Sequence, residues 1–437
     1  MRQPLLGCIA DDFTGASDLA NNLSRSGMRV LLTAGIPSAE ESLDADAIVI
    51  ALKTRTAPPA RAVALSIEAC RLLKQRGVRT IYFKICSTFD STSEGNIGPV
   101  LEALTAELQT GFSVVAPAFP ETGRVVRRGH LFVNGVPLSE SSMRTHPLTP
   151  MTESDLLLLL AAQLRHFPHS AVGLIEEASV SRSAEAIRTR IKQLQEQHCA
   201  FAIADTETMD DLTRLAEALQ DAALITGSSG LGLCLPRQWG FQPSAESSSL
   251  PPAAGRSVIL SGSCSEATQG QVQHLLSTGG AGFYLDASAL LADRSGTIRR
   301  AVEWVQQQWQ SHPAESPLVY STCSAERRLH QQNAPVESMI EQAFAALAAE
   351  LVRQGVGRLI VAGGETAGVC VQALGIRQLQ IGPQIDPGVP WCYAPRSIAR
   401  DSGLHLTLKS GNFGAVDFFT KAFTLLENTS ARETRHE

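Results

Sequence analysis

The sequence of 437 residues lacks several features that mark common protein classes. No apolar run approaches the roughly 18 residues that a membrane-spanning helix needs, so we predict no transmembrane segment. Two acidic residues interrupt the apolar run near the N-terminus, so we expect no signal peptide and a cytoplasmic location. The nine cysteines are dispersed and show no CxxC spacing, which favours reduced thiols over a disulfide framework or a zinc site.

Basic residues are also not in excess, because 37 Lys and Arg stand against 43 Asp and Glu, a net charge of -6. A nucleic-acid-binding protein normally carries a basic excess, so we expect no nucleic-acid partner. Local Lys and Arg residues still allow a small anionic substrate. The sequence contains 34 glycines, and many of them lie where a predicted strand meets a predicted helix.

Short apolar runs alternate with segments of helical periodicity along most of the chain. This alternation predicts α/β architecture with mostly parallel sheets and helices on both faces. Asn134-Gly135 lies between two short apolar runs and predicts a β-hairpin. The predicted strands are 5–10, 30–33, 47–52, 80–84, 112–116, 200–204, 222–226, 257–261, 282–285, 317–321, 359–362 and 404–409.

One segment, residues 242–256, is rich in Ser, Pro and Ala, which is typical of a linker. The strand-helix pattern restarts after it. We therefore predict two α/β domains, residues 1–241 and 257–437, with an active-site cleft between them. Ligands of open α/β sheets bind at the carboxyl ends of the strands, so the residues that follow each strand are the candidates for a site.

Polar side chains follow three predicted strands of the first half. Asp11, Asp12 and Thr14 follow the first strand, where they either bind substrate hydroxyls or a metal, or simply cap the next helix. Arg55 and Lys84 follow two other strands and are suited to a substrate carboxylate, with solvated strand ends as the alternative.

The loop after Lys84 adds Ser87, Thr88, Asp90 and Ser91, which are suited to reading hydroxyl groups or capping a helix. Cys86 lacks a histidine partner identifiable from the sequence, so we interpret it as a structural thiol.

Glycine-rich junctions dominate the second half. Residues 260–265, 362–368 and 410–414 each follow a predicted strand, and residues 226–232 form a similar junction late in the first half. Such junctions bind phosphate through backbone amides and the helix dipole, although each one alone is also explained by tight packing. None is a Walker A loop or a GxGxxG fingerprint. These residues together indicate a two-domain enzyme that joins a polyhydroxy acid to a nucleotide.

Six segments in chain order resemble the four-carbon acid sugar kinase family. They are IADDFTGASD, KICSTFDSTSEGNIGP, TGSSGLG, LSGSCS, AGGET and LKSGNFG, and the resemblance extends from about residue 5 to residue 425. The threonate and erythronate kinase branches carry a DSTLRG loop, whereas this chain has CSTFDST at 86–92. That loop and the run HPLTPM at 146–151 are similar to the 3-oxo-tetronate kinase branch.

The resemblance implies an N-terminal sugar-acid domain and a C-terminal nucleotide domain, with ATP as co-substrate and Mg²⁺ expected. It implies phosphorylation of the C4 hydroxyl of 3-oxo-tetronate, and it leaves D-threonate or D-erythronate as an alternative substrate. Asp12 and Asp90 are the candidates for the general base, and the metal ligands are unassigned. The implied substrate contacts are Asp11, Asp12, Arg55, Lys84, Ser87, Thr88 and Asp90. The implied ATP contacts are Ser261, Ser263, Gly363, Gly364, Glu365, Thr366 and Gly411.

Two hypotheses from other classes compete with this one. A non-catalytic sugar-acid-binding protein would explain two lobes and a linker, but not the glycine loops. A dehydrogenase would bind NAD instead of ATP, and the missing dinucleotide fingerprint argues against it. The sequence leaves the oligomeric state open, with a homodimer as one possibility.

Overall fold

The computed structural model describes residues 4–38, 41–145, 149–244, 246–321, 334–395, 397 and 403–433. Contacts divide the chain into two units, Met1–Ser247 and Ser248–Glu437. No helix within the described ranges is both long enough and apolar enough to cross a membrane. Residues 146–148 of the HPLTPM run, and residue 245 of the predicted linker, lie outside the described residues.

The first unit contains a parallel sheet of eight strands in the order β2-β3-β1-β4-β11-β5-β10-β9. Its central strands are continuous apolar runs, such as AIVIA in β3, because helices cover a parallel sheet on both faces. The strands of this sheet are β1 (Leu6–Ala10), β2 (Val30–Ala34), β3 (Ala47–Ala51), β4 (Thr80–Lys84), β5 (Ser113–Ala116), β9 (Val172–Ile175), β10 (Phe201–Ala204) and β11 (Leu224–Gly227).

A small antiparallel sheet lies between β5 and β9 in the sequence. It consists of β6 (Arg124–Arg127), β7 (His130–Val133) and β8 (Val136–Pro137). Asn134 and Gly135 connect β7 to β8, and both have positive φ, 51° and 81°. That geometry confirms the predicted hairpin, because the tight turns that suit twisted strands need positive φ at these positions.

The helices of the first unit form two groups of mutual contacts. Helices α1, α6, α7 and α8 contact one another in one group, and α2, α3 and α4 form the other. Several begin at a side-chain cap, and α7 has a full capping box between Thr208 and Asp211. The helices are α1 (Phe13–Arg25), α2 (Pro59–Gln75), α3 (Ile97–Leu108), α4 (Leu156–Gln163), α5 (Glu177–Val180), α6 (Ala184–Glu196), α7 (Met209–Leu219) and α8 (Ser229–Gln238).

The second unit has a seven-stranded sheet in the order β13-β14-β12-β15-β18-β17-β16. The first five strands in this order pair in parallel, and β17 pairs antiparallel with both of its neighbours. The strands are β12 (Arg256–Ser261), β13 (Gly282–Tyr284), β14 (Leu318–Tyr320), β15 (Val356–Ala362), β16 (Gln378–Asp386), β17 (Val389–Ala394) and β18 (Leu404–Lys409).

The described helices of the second unit also form two groups. Helices α10 to α13 contact one another, and α9 contacts α14. These helices are α9 (Glu266–Ser277), α10 (Ala287–Ala292), α11 (Arg294–Ser311), α12 (Ala334–Arg353), α13 (Gly364–Ala373) and α14 (Phe418–Glu433). The predicted α/β class with mostly parallel sheets is therefore confirmed, and the predicted cleft between domains stays a prediction.

Candidate active site

In the first unit, the predicted polar residues gather at the carboxyl ends of the central strands. Strands β3, β1 and β4 are neighbours in the sheet, so Arg55, Asp11 and Lys84 emerge close to one another. Strands β2 and β3 lie on one side of β1 in the sheet, and β4 lies on its other side. Open α/β sheets bind ligands at such a switch in the strand order. The structure therefore brings together residues that are far apart in the sequence.

Arg55 lies at the centre of a carboxylate cluster formed by Asp11, Asp12 and Asp90. Its Nε and Nη2 atoms donate to both oxygens of Asp11, at 2.9 and 2.8 Å. Nη2 also donates to Asp12 Oδ1 at 2.8 Å, and Nη1 donates to Asp90 Oδ2 at 3.2 Å. These four hydrogen bonds occupy most of the five N–H donors of a guanidinium group.

The ion pairs of the cluster are poorly accessible to water, because the Arg55 side chain is only 19% exposed. Burial tends to lower the pKa of Arg55, but Asp11 and Asp12 outweigh it and raise that pKa, which keeps the guanidinium charged. The sequence predicts Arg55 as a partner of a substrate carboxylate. In the structure four of its N–H donors contact Asp11, Asp12 and Asp90, and its contact with a substrate carboxylate stays a prediction.

Asp12 caps α1, which is one of the two roles that the sequence predicts, and its binding of substrate hydroxyls or a metal stays a prediction. Its Oδ1 accepts the Gly15 N–H at 3.0 Å and caps α1, and its Oδ2 accepts the Thr14 hydroxyl at 2.6 Å. Burial opposes ionisation, but Arg55, Lys84 and these hydrogen bonds together lower the pKa of Asp12. Asp12 is therefore ionised at neutral pH. Its side chain is 25% exposed, against 10% for Asp11 and 8% for Asp90.

Lys84 is buried at the end of β4, and its Nζ donates to the Ile85 carbonyl at 2.9 Å. An ammonium group has three donors, so two remain without an acceptor among the described residues. A Cβ atom on Gly15 would lie 2.9 Å from this Nζ and 2.3 Å from Asp12 Oδ1. Glycine at position 15 therefore lets the lysine and the aspartate approach the first turn of α1.

The loop after β4 brings Asp90 to the cluster through unusual backbone geometry. Phe89 and Asp90 both have positive φ, 59° and 32°, which non-glycine residues rarely adopt. Strain of this kind persists where the surroundings hold the residue in place and is common at functional sites. Asp90 accepts hydrogen bonds from Arg55 and from the Thr149 hydroxyl. Ser87 is half-buried and Thr88 is buried in the same loop, where Thr88 Oγ1 lies 3.0 Å from the Cys86 Sγ.

Two further residues of this site are absent from the sequence-based prediction. Asp18 ends the IADDFTGASD motif, and burial raises its pKa against the opposing charge of nearby Lys84. Asn96 lies in the GNIGP segment, and its Nδ2 donates to the carbonyls of Thr54, Arg55 and Ala57. Asn96 therefore fixes the backbone of the segment that contains Arg55. Both residues lie in motifs that are recognisable in the sequence, so these motifs could have identified Asp18 and Asn96 as site residues.

The loop 226–232 also belongs to the first unit, at the end of β11. A Cβ atom on Gly227 would lie 2.8 Å from the Ala116 carbonyl oxygen, and one on Gly230 would lie 2.9 Å from that of Ala118. Close packing against these carbonyls explains both glycines.

In the second unit, three of the predicted glycine loops meet. Strands β12, β15 and β18 are adjacent, so the loops that follow them lie side by side. A Cβ atom on Gly363 would lie 3.2 Å from the Ser263 nitrogen, and one on Gly411 would lie 2.5 Å from Ser263 Oγ. Gly363 also has a φ of 125°, which L-amino acids with a side chain rarely adopt.

The first two loops line a cavity of about 280 Å³. Gly364, Glu365 and Thr366 open α13 on one side of it, so the helix N-terminus faces the cavity. On the other side, α12 contributes the apolar Val336 and Ile340 together with the carboxylates of Glu337 and Glu341. The backbone amides and the helix dipole suit a phosphate group, and the two apolar side chains suit a hydrophobic part of the same ligand.

The remaining predicted nucleotide contacts have distinct positions. Ser261 is the buried last residue of β12. The Ser263 hydroxyl donates to Ser265 Oγ at 3.1 Å, and the Ser265 hydroxyl donates to the Gly411 carbonyl. Gly411 is therefore joined to the loop after β12. Within the described residues, no group of three or more His, Cys, Asp or Glu side chains could hold a metal ion.

Comparison with known proteins supports both halves of this description. Residues 6–235 match the model of a sugar-binding N-terminal domain, and residues 258–419 match that of a nucleotide-binding C-terminal domain. The chain is 46% identical over 433 residues to a 3-oxo-tetronate kinase of Pseudomonas savastanoi pv. phaseolicola, covering 97% of this chain and 98% of the relative. A 3-oxo-tetronate kinase of Burkholderia multivorans is 46% identical over 438 residues, covering 98% and 99%.

Two crystal structures resemble the chain over nearly its whole length. A Salmonella typhimurium LT2 protein described as a tRNA synthase superposes with a TM-score of 0.86 and 40% identity, covering 95% of this chain and 98% of that one. A Haemophilus influenzae protein superposes with a TM-score of 0.81 and 39% identity, covering 96% and 100%. Six ordered motifs, two matching domain models and full-length relatives agree, and the chain therefore belongs to the four-carbon acid sugar kinase family.

Proposed function

We propose that the protein transfers the γ-phosphate of ATP to the C4 hydroxyl of 3-oxo-tetronate, giving 3-oxo-tetronate 4-phosphate and ADP. The observation that carries the proposal is the identity of 46% over nearly the full chain to relatives named 3-oxo-tetronate kinase. The CSTFDST loop at 86–92 supports the same branch of the family. The tRNA-synthase description of one structural neighbour differs from the kinase names of the full-length relatives, on which the proposal rests.

We assign sugar-acid binding to the first unit and ATP binding to the second. The two remaining N–H donors of Lys84 suit the substrate carboxylate. Asp11 can accept a hydrogen bond from a substrate hydroxyl, and the hydroxyls of Ser87 and Thr88 can donate to the oxo group. Arg55 contributes mainly by holding Asp11, Asp12 and Asp90 in position. In this assignment Gly363 to Thr366, Ser261, Ser263 and Gly411 hold the nucleotide.

Phosphoryl transfer needs positioning and charge neutralisation more than covalent chemistry. The helix N-terminus at Gly364 and the backbone amides of the loops supply part of the neutralising charge. Glu365 at the N-terminus of α13 is the carboxylate that would hold Mg²⁺ beside the nucleotide, and the metal would supply further neutralising charge. The cytoplasmic location and the homodimer stay predictions.

A panel of four-carbon acids tests the substrate. We expect ADP release with 3-oxo-tetronate and at least 10-fold lower kcat/KM with D-threonate or D-erythronate. A coupled ADP assay at saturating ATP measures both. Turnover confined to the tetronates without an oxo group would move the protein to another branch of the family. Sugar-acid binding by calorimetry without nucleotide binding would support the non-catalytic alternative.

We assign the role of general base to Asp12, with Asp90 as the second candidate. Asp12 is ionised and is the most exposed carboxylate of the cluster, so it can accept the proton of a substrate hydroxyl. We expect Asp12→Asn to lower kcat by about 10²- to 10⁴-fold, the usual contribution of a general base. ATP affinity, measured by calorimetry, should stay unchanged.

The pH profile of kcat provides a check on this assignment. The base must be deprotonated, and the pKa of Asp12 is lowered below its ordinary value. Its protonation should therefore cause no acid limb in kcat above about pH 5. A full loss of activity in Asp90→Asn, with near-normal kcat in Asp12→Asn, would transfer the role to Asp90.

A further inference from the structure

Lys409 is a fully buried lysine directly before the loop that contains Gly411. Its Nζ lies 2.8 Å from Thr268 Oγ1 and 3.0 Å from the Ser410 carbonyl oxygen. The carbonyl oxygens of Gly411 and Phe413 are each 3.1 Å away. All four of these oxygens are uncharged, so dipoles hold the buried Lys409 Nζ. Neither the proposed reaction nor the cavity described above uses it.

Gln271 of α9 holds the same loop from a second side. Its Nε2 donates to the carbonyls of Phe413, Gly414 and Ala415, at 3.0, 2.9 and 3.1 Å. Gln271 is 1% exposed and Lys409 is 0% exposed. Carbonyls that accept from two such buried donors point into the protein.

The backbone N–H groups at the start of the loop differ from its carbonyl groups in their hydrogen bonding. The N–H groups of Ser410, Gly411 and Asn412 have no acceptor among the described residues. A Cβ atom on Gly411 would lie 2.5 Å from Ser263 Oγ, so these amides lie beside the loop after β12. Successive backbone N–H groups with free hydrogens form a nest that binds anions.

We propose that Lys409, together with Gln271, is a positioning residue for nucleotide binding. It holds the carbonyls of residues 410–415 toward the interior and leaves the N–H groups of 410–412 to the phosphates of ATP. This inference rests on the proposed function, because it takes ATP to be the ligand of the second unit. Lys409 acts through the loop, and no direct contact with ATP is required.

The cost of burying this cation supports a specific role. Removing an ammonium group from water is unfavourable unless oxygen atoms replace its hydration. Burial lowers the pKa of Lys409 to about 7. A methionine of similar length would fill the same space without this penalty. Unlike methionine, Lys409 makes four contacts with oxygen atoms, and these contacts fix the loop.

The test is the Lys409→Met variant of the full chain, with binding measured by calorimetry. We expect the affinity for the non-hydrolysable ATP analogue AMP-PNP to fall at least 20-fold, because the phosphate nest is lost. Adenosine, which has no phosphate, should bind as in the wild type within 2-fold. In steady state the KM for ATP should rise, while the KM for the sugar acid stays within 2-fold.

A second variant and a stability control separate this role from a purely structural one. Gln271→Ala removes one amide group that contacts three carbonyls of the loop, without touching a charge, and we expect at least 5-fold weaker AMP-PNP binding. This variant tests the proposal should Lys409→Met fail to fold. Val305→Ala creates a cavity at a buried position of α11, so it should lower Tm and leave AMP-PNP affinity unchanged.

The results that would overturn the proposal are distinct. Unchanged AMP-PNP affinity in folded Lys409→Met and Gln271→Ala would remove both residues from nucleotide binding. Equal losses for adenosine and AMP-PNP would show general damage to the unit. Wild-type protein that binds no AMP-PNP would overturn the proposed function and this inference together, whereas the first two results leave the kinase intact.

Discussion

Arg55→Ala should reduce kcat/KM for the sugar acid by at least about 10²-fold and destabilise the first unit by about 3 kcal/mol. Arg55 makes four hydrogen bonds to Asp11, Asp12 and Asp90, and its side chain is only 19% exposed. Removing one partner of a buried ion pair costs about 3–5 kcal/mol, because the other charge stays buried without a partner. Displacement of catalytic groups by about 1 Å costs roughly 10²-fold in rate.

Three unpaired aspartates also give this variant a characteristic pH dependence. Like charges in close proximity raise the pKa of one another, so the cluster of the variant should bind protons at higher pH than the wild type. Protonation relieves the repulsion, and the stability deficit should therefore shrink as pH falls from 8 to 5. Urea unfolding monitored by circular dichroism at several pH values measures this change.

Two comparison variants make the result specific. Arg61 lies on α2 and is exposed, so Arg61→Ala removes the same charge from the same unit and should leave both stability and kcat/KM near wild type. Arg55→Lys keeps the charge, but a single ammonium group cannot reproduce the forked contacts to three carboxylates. It should fall between the wild type and the alanine variant. Near-normal kinetics in Arg55→Ala would rule out an ordering role in the site.

The strands that carry the site could be predicted well from the sequence. Strands β4 and β18 are predicted with their observed bounds, because each is a short, buried run. The sequence therefore correctly places Lys84, and the residues after Ala10, at the ends of strands. Strands β16 and β17 were missed, because Pro383 and Pro390 interrupt their apolar pattern, and proline is usually excluded from strand interiors.

The interactions within the site could not be predicted in the same way. Arg55 meets aspartates 44, 43 and 35 positions away in the chain, and only the sheet order brings them together. The sequence therefore suggested that its guanidinium was available to a substrate. Lys409 is adjacent to a recognised glycine motif, but composition places lysines at the surface by default. Its burial follows from the packing of α9 against the loop after β18.

Gly364→Val should weaken ATP binding at least about 50-fold with little loss of stability. Gly364 is the first residue of α13 and is exposed to the cavity, so a side chain there meets ligand instead of protein. The phosphates need to approach the backbone amides of this turn closely, and two methyl groups prevent that approach. Calorimetry with AMP-PNP measures the loss, and the KM for the sugar acid should change less than 2-fold.

Two other glycines of the same unit isolate the ligand effect from the backbone effect. Gly270 lies within α9 with open space where a Cβ atom would lie, so Gly270→Val should leave AMP-PNP affinity unchanged. Gly363 has a φ of 125°, and a Cβ there would lie 2.9 Å from Thr366 Oγ1, so Gly363→Ala should lose both affinity and about 1–3 kcal/mol of stability. The Gly364 variant is the decisive one, because we expect it to lose affinity while the protein remains folded. Wild-type AMP-PNP affinity in Gly364→Val would mean that phosphate does not approach this helix, and the nucleotide assignment of the loop after β15 would then fail.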